Sequence, residues 1–173
     1  SFKRRRPIDW LYVLLPAAGL VLYMYYLNVA FHDPLYFINA QPAFGASRSG
    51  EKLVLLYQVF WRYAKMLTSV PITSLLYYTV SQEFLAGIVF LILSVIAFKK
   101  VRRSYAVFGI LAYIIPTLTG TFSSLPRYVL VLFPAFMILG RIKSSTTRYL
   151  VYALSSILLI INIMLFTRGY WVS

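Results

Sequence analysis

The chain has 173 residues, of which 61% are hydrophobic and 18% aromatic while only 12% are charged. Soluble domains are about half apolar and about a quarter charged, so this composition excludes an ordinary water-soluble fold, which could not hide so much apolar surface. The formal net charge of +13 sits in short Lys and Arg clusters between apolar runs and not along one face, which points to lipid headgroups and away from nucleic acid.

The sequence opens Ser1-Phe2-Lys3 without an initiator methionine, and the apolar run after its basic start is too long and too aromatic for a signal peptide. It is therefore expected to be a piece of a longer protein. A hydrocarbon core of roughly 30 Å takes about 20 helical residues, and residues 8–31 form the first run of that length. Residues 51–69 come next and differ in pattern. Glu51, Gln58, Arg62, Lys65 and Ser69 recur at steps of seven, four, three and four, which is one stripe of a helix. Leu53, Leu56, Phe60, Trp61, Tyr63 and Leu67 cover much of the rest. Such a helix is expected to lie in the outer interface, its stripe toward water or a cavity; the alternative is a helix packed under a loop.

Pro71 ends that helix, and Thr73 or Ser74 can cap the next, a second span over residues 73–98. Glu83 lies about 22 Å along the helix from Phe98, close to the outer headgroups, where an acid either finds a polar partner or snorkels. A third span is expected over residues 104–122. The fourth, residues 128–140, is short and carries Pro134, and the last covers residues 149–166.

Cytoplasmic loops near helix ends collect Lys and Arg. Five spans put Lys3, Arg4, Arg5 and Arg6, then Lys99, Lys100, Arg102 and Arg103, then Arg141, Lys143 and Arg148 on one side, eleven of the seventeen basic residues. The expected fold is all-α: a polytopic integral membrane protein of five transmembrane helices and one interfacial helix, with residues 1–173 forming a single membrane-embedded region. Its N-terminus is cytoplasmic and its C-terminus outside, in a prokaryotic cell membrane or, for a eukaryotic source, in the membrane of the endoplasmic reticulum.

Between the first span and the interfacial helix, residues 30–45 combine an acid, a histidine, amides and aromatic rings, the mixture that holds sugars by hydrogen bonding and stacking. Asp33 before Pro34 is either a helix cap or a catalytic carboxylate, and His32 either a proton shuttle or a plain hydrogen-bonding residue. Arg127, after Pro126 at the mouth of a helix, suits a phosphate or diphosphate, or else anchors a headgroup. The absence of cysteine removes thiolate and disulfide chemistry, and the single histidine precludes a multi-histidine metal site. No Gly-rich nucleotide loop and no Ser/His/Asp set is present.

The stretch 33–41 (Asp-Pro-Leu-Tyr-Phe-Ile-Asn-Ala-Gln), Phe60-Trp61-Arg62-Tyr63 with Lys65-Met66-Leu67, the run 125–134 beginning Leu-Pro-Arg-Tyr, and Gly169-Tyr170-Trp171-Val172 together resemble prokaryotic relatives of GPI mannosyltransferase II, in the glycosyltransferase C superfamily. The resemblance covers almost the whole chain and corresponds to the C-terminal half of such enzymes. It implies a membrane glycosyltransferase that takes a sugar, mannose by family, from a polyprenyl-phosphate donor at the extracytoplasmic face and passes it to a glycan or glycolipid acceptor. Arg127 with Tyr128 would serve the lipid phosphate or the acceptor, Arg62 and Lys65 would line the same cavity, and Asp33 and Gln41 would touch a sugar. The family's catalytic acid usually lies on an earlier loop, so it is expected outside this chain, with Asp33 and His32 as weak substitutes. No cofactor or metal is evident in the chain, and a divalent metal in the full-length protein is left open. The competing expectation is a non-catalytic membrane module: a transporter half, a structural subunit or a polyprenyl-lipid carrier.

Overall fold

The computed structural model describes residues 8–44 and 53–172, which form helices and turns with no strand among them. They fall into two compact units, Ser1–Glu51 and Lys52–Ser173.

In the first unit, α1 (Ile8–Phe31) coincides with the first apolar run. It stops at His32, whose φ of 56° puts it in the left-handed region that commonly closes a helix. Asp33 then starts a turn. Its Oδ1 accepts the Leu35 N–H at 2.9 Å and its Oδ2 accepts Asn39 Nδ2 at 2.7 Å, which brackets the single turn α2 (Tyr36–Asn39). A 3₁₀ turn over Gln41–Phe44 follows. Phe31 stacks on Tyr36 with centroids 4.5 Å apart, which fixes the reversal.

The second unit begins with α3 (Leu56–Ser69). Gln58 Oε1 accepts the Leu55 N–H, the return half of a capping box, and the helix ends two residues before Pro71. Next comes α4 (Leu75–Lys100), opened by Ser74, whose hydroxyl accepts the Tyr77 N–H. Two residues separate it from α5 (Arg103–Thr117), so the pair forms an antiparallel hairpin. Then follow α6 (Leu125–Tyr128), a 3₁₀ turn at Val129–Val131, α7 (Phe133–Leu139) and α8 (Ser145–Thr167). The centre of the unit is α4, which packs against α3, α5, α6 and α7. The core draws Val59 and Tyr63 from α3, Val80 and Leu93 from α4, Tyr113 from α5, and Phe122, Leu125, Val129, Leu132 and Ala135 from the segment that follows.

Among the described residues, three helices are long and apolar enough to cross a membrane: α1, α4 and α8. The third expected run closes early, at Thr117. Beyond it Gly120 takes φ 87°, and the Thr117 and Thr119 hydroxyls cover the Ile114 and Pro116 carbonyls, so residues 118–122 leave the helix. The fourth expected run is not one helix. Pro134 has no N–H to continue the ladder and restricts the residue before it, so the chain breaks at Leu132 (ψ 57°) and restarts as the seven-residue α7. At 1.5 Å per residue α7 reaches only about 10 Å. Its Pro134 ring lies 3.5 Å from where a Cβ on Gly109 would sit, ordinary packing distance, so α7 rests on α5 at this point.

Two side-chain contacts tie the far ends of the unit. Arg141 donates to the Lys100 carbonyl, which brings two basic clusters together at the C-terminal end of α4. Tyr78 donates to Asn162 Oδ1 at 2.9 Å and joins α8 to the N-terminal part of α4.

Candidate functional site

At the N-terminal part of α4, away from Lys100, three segments converge: α3, α4 and the connection 118–124. Glu83 is the meeting point, on an apolar helix and only 4% exposed. A buried carboxylate is costly unless its lone pairs are hydrogen-bonded. Here Oε2 accepts the Tyr63 hydroxyl at 2.6 Å and Oε1 accepts the Ser124 N–H at 3.2 Å. The Tyr63 oxygen in turn accepts the Phe122 N–H at 3.1 Å and lies 3.0 Å from Thr121 Oγ1. With the phenol proton given to Glu83, Thr121 must be the donor in that last pair. Burial, and then the adjacent Glu83 carboxylate, raises the Tyr63 phenol above its ordinary range, so it stays protonated and keeps donating.

The connection so held carries two arginines on its flanks. Arg62, one residue before Tyr63 on α3, donates Nη1 to the Gly120 carbonyl at 3.0 Å. Arg127 on α6 donates Nη2 to Ser124 Oγ at 2.6 Å, and its guanidinium lies 5.5 Å from the centre of the Trp171 ring, within cation–π range. Ser124 has φ 66°, a left-handed conformation uncommon outside glycine, and from it the amide points to Glu83 while the hydroxyl meets Arg127. Arg127 is exposed and has five N–H donors, of which one goes to Ser124, so its fork is presented to whatever lies outside.

Of the residues singled out from sequence, Arg62 and Arg127 are brought to one connection, with Tyr128 exposed beside Arg127 and Lys65 exposed one turn along from Arg62. Asp33, His32 and Gln41 belong to the other unit. Both Asp33 oxygens serve its own turn, one on the Leu35 N–H and one on the Asn39 side chain, without capping α2, and Gln41 Nε2 donates to the Phe37 carbonyl at 2.9 Å. Glu51 lies outside the described residues. No group of three or more His, Cys, Asp or Glu suited to a metal occurs among the described residues.

Sequence pattern missed Tyr63, Thr121, Ser124 and Trp171 as parts of one site. The available signal was Glu83: an acid at that depth requires donors, and the Thr/Ser-rich turn 121–124 offers them. Separately, α3 and Phe84 of α4 bound an open apolar cavity of about 550 Å³, walled by Tyr57, Gln58, Phe60, Trp61 and Ala64, which Arg62 does not line. No family profile, curated protein or solved structure matches the chain.

Proposed function

We propose that this chain is part of a membrane glycosyltransferase that uses a polyprenyl-phosphate sugar donor, mannose by resemblance, at the extracytoplasmic face. The membrane frame of the proposal is five crossings, with the α6–α7 segment completing the fourth in company with α4 and α5, and α3 lying in the outer interface. Donor lipid and a glycan or glycolipid acceptor are the partners.

The observation that carries this reading is the pair of arginines gripping one ordered connection, Arg62 on the Gly120 carbonyl and Arg127 on the Ser124 hydroxyl. Arg127 is exposed and held at one end by Ser124, with its other donors on the outer side, the geometry that recognises phosphate oxygens.

In the transfer, an acceptor hydroxyl oxygen attacks the sugar C1 as the C1–O bond to phosphate breaks. Configuration inverts, and the polyprenyl phosphate leaves with the bonding pair. A carboxylate takes the hydroxyl proton; under this reading it is supplied from outside the chain, since both Asp33 oxygens are committed to their turn. Arg127 stabilises the charge that builds on the leaving phosphate.

The test is sugar transfer from polyprenyl-phosphate mannose in membranes carrying the full-length protein or its Arg127→Ala variant. Loss of one charge-stabilising donor is expected to lower turnover by about 10²-fold. Unchanged turnover removes Arg127 from the site, and no transfer by the unaltered protein leaves the non-catalytic module standing.

A further inference from the structure

Glu83 is a poor choice for stability alone. A carboxyl side chain buried on an apolar helix carries a desolvation cost that well-packed apolar residues avoid. What it accomplishes is long-range: one carboxylate joins Tyr63, 20 residues earlier, to Ser124, 41 residues later. Ser124 is the informative partner. Its left-handed backbone is strained for a residue with a Cβ, and it is retained where the amide meets Glu83 Oε1 and the hydroxyl meets Arg127 Nη2. Relaxing Ser124 to an ordinary conformation would swing that hydroxyl away and leave the guanidinium with Trp171 but without its Ser124 support.

We infer that Glu83 is a positioning residue for Arg127: through the Ser124 amide it fixes the left-handed turn from which the Ser124 hydroxyl holds the guanidinium against Trp171. Tyr63 is the second arm of the same clamp, binding the Thr121–Phe122 stretch to the other carboxylate oxygen. The functional weight of this placement rests on the reading of Arg127 as a phosphate ligand, but the placement itself can be tested without any ligand.

The reporter is Trp171, observed by fluorine NMR of the full-length protein labelled with 5-fluorotryptophan in detergent micelles, its resonance assigned with Trp171→Phe. Arg127→Ala is expected to move that resonance by removing the cation over the ring. Glu83→Ala and Ser124→Ala are expected to move it in the same direction by at least half as much, with the Trp61 resonance unmoved, since general loosening would shift both. Glu83→Gln keeps an oxygen for the Ser124 amide and is expected to leave the Trp171 line within its width. A Glu83→Ala line at the unaltered position overturns the inference, as does an Arg127→Ala line that does not move or a Glu83→Gln line displaced as far as that of Glu83→Ala. Should Glu83→Ala fail to fold, Ser124→Ala decides alone, and its unmoved line is fatal. Adding farnesyl phosphate separates the two ideas: an unaltered protein whose Trp171 line ignores it loses the phosphate reading, while the comparisons among variants still decide the clamp.

Discussion

Gly120 is where the Arg62 contact meets a backbone limit. Its φ of 87° is strained for any residue with a side chain, and a Cβ there would lie 2.9 Å from Cγ2 of Val54, a branched residue whose own N–H is bound to the Leu118 carbonyl. Left-handed strain of about 1–2 kcal/mol therefore adds to a clash that Val54 can relieve only by giving up its place. Gly120→Ala is expected to lose about 2–3 kcal/mol in total, within the range of overpacked sites, seen as a lower unfolding temperature in detergent. Adding Val54→Ala should return the steric part and leave the dihedral part. Gly19→Ala provides the contrast, because a Cβ there meets nothing within 4 Å; it should be neutral or slightly stabilising. A Gly120→Ala protein as stable as the original would mean that the connection is not held as described.

At this scale the sequence was legible where chemistry is local. Asp33 beside Pro34 pointed to a turn or a helix start, and its oxygens form the turn, binding Leu35 and Asn39 within six residues. Glu83 pointed to unnamed partners through its depth alone. The partners themselves were hidden, because Tyr63 counts as apolar cover in a helical pattern and its hydroxyl meets groups 20 and 58 residues away.

Among the elements, α3 changed most between pattern and structure. The helix starts at Leu56 and not at residue 51, so of the expected stripe it carries Gln58, Arg62, Lys65 and Ser69; Arg62 among them turns inward to Gly120, and the buried positions are Val59 and Tyr63. Packing beneath the 118–124 connection accounts for that inner face. Trp61 and Tyr57, 73% and 67% exposed, face away from it. Exposed aromatics of this kind favour the headgroup level of a bilayer, where an apolar ring and a polar edge are both satisfied. With Trp10 and Trp171 changed to phenylalanine, Trp61 emission should be quenched more by phosphatidylcholine brominated near the headgroup than by lipid brominated near the chain ends. The reverse order would place α3 deep in the bilayer and end the interfacial reading. The α6–α7 break was less legible: composition gives an apolar run across 128–140, and hydropathy cannot register that Pro134 withholds an N–H and restricts Phe133, splitting the run into short turns.

For the molecule as a whole, orientation is the property on which the proposed chemistry depends, because a polyprenyl-phosphate donor must meet Arg127 on the extracytoplasmic side. Within the second unit the two ends of α4 differ in kind. One gathers Lys100 and Arg141, which are in contact, and the adjoining Lys99, Arg102 and Arg103. The other has Arg62 and Arg127 on the ordered connection, with Trp171 stacked over Arg127. Under the proposed function, the first end is the one expected inward, where Lys and Arg clusters are retained, and the second outward. The chain contains no cysteine, so single cysteines report sidedness without background from it. Thr68, at the end of α3, and Lys143, between α7 and α8, are both exposed in the fold, so accessibility differs only through the membrane. In intact cells a membrane-impermeant maleimide should label Thr68→Cys and spare Lys143→Cys until the membrane is opened. Labelling of both in intact cells would mean that the α6–α7 segment does not return the chain to the cytoplasm. Labelling of Lys143→Cys alone would invert the molecule and put Arg127 on the side where nucleotide-activated sugars are available, removing the reason to expect a lipid-borne donor.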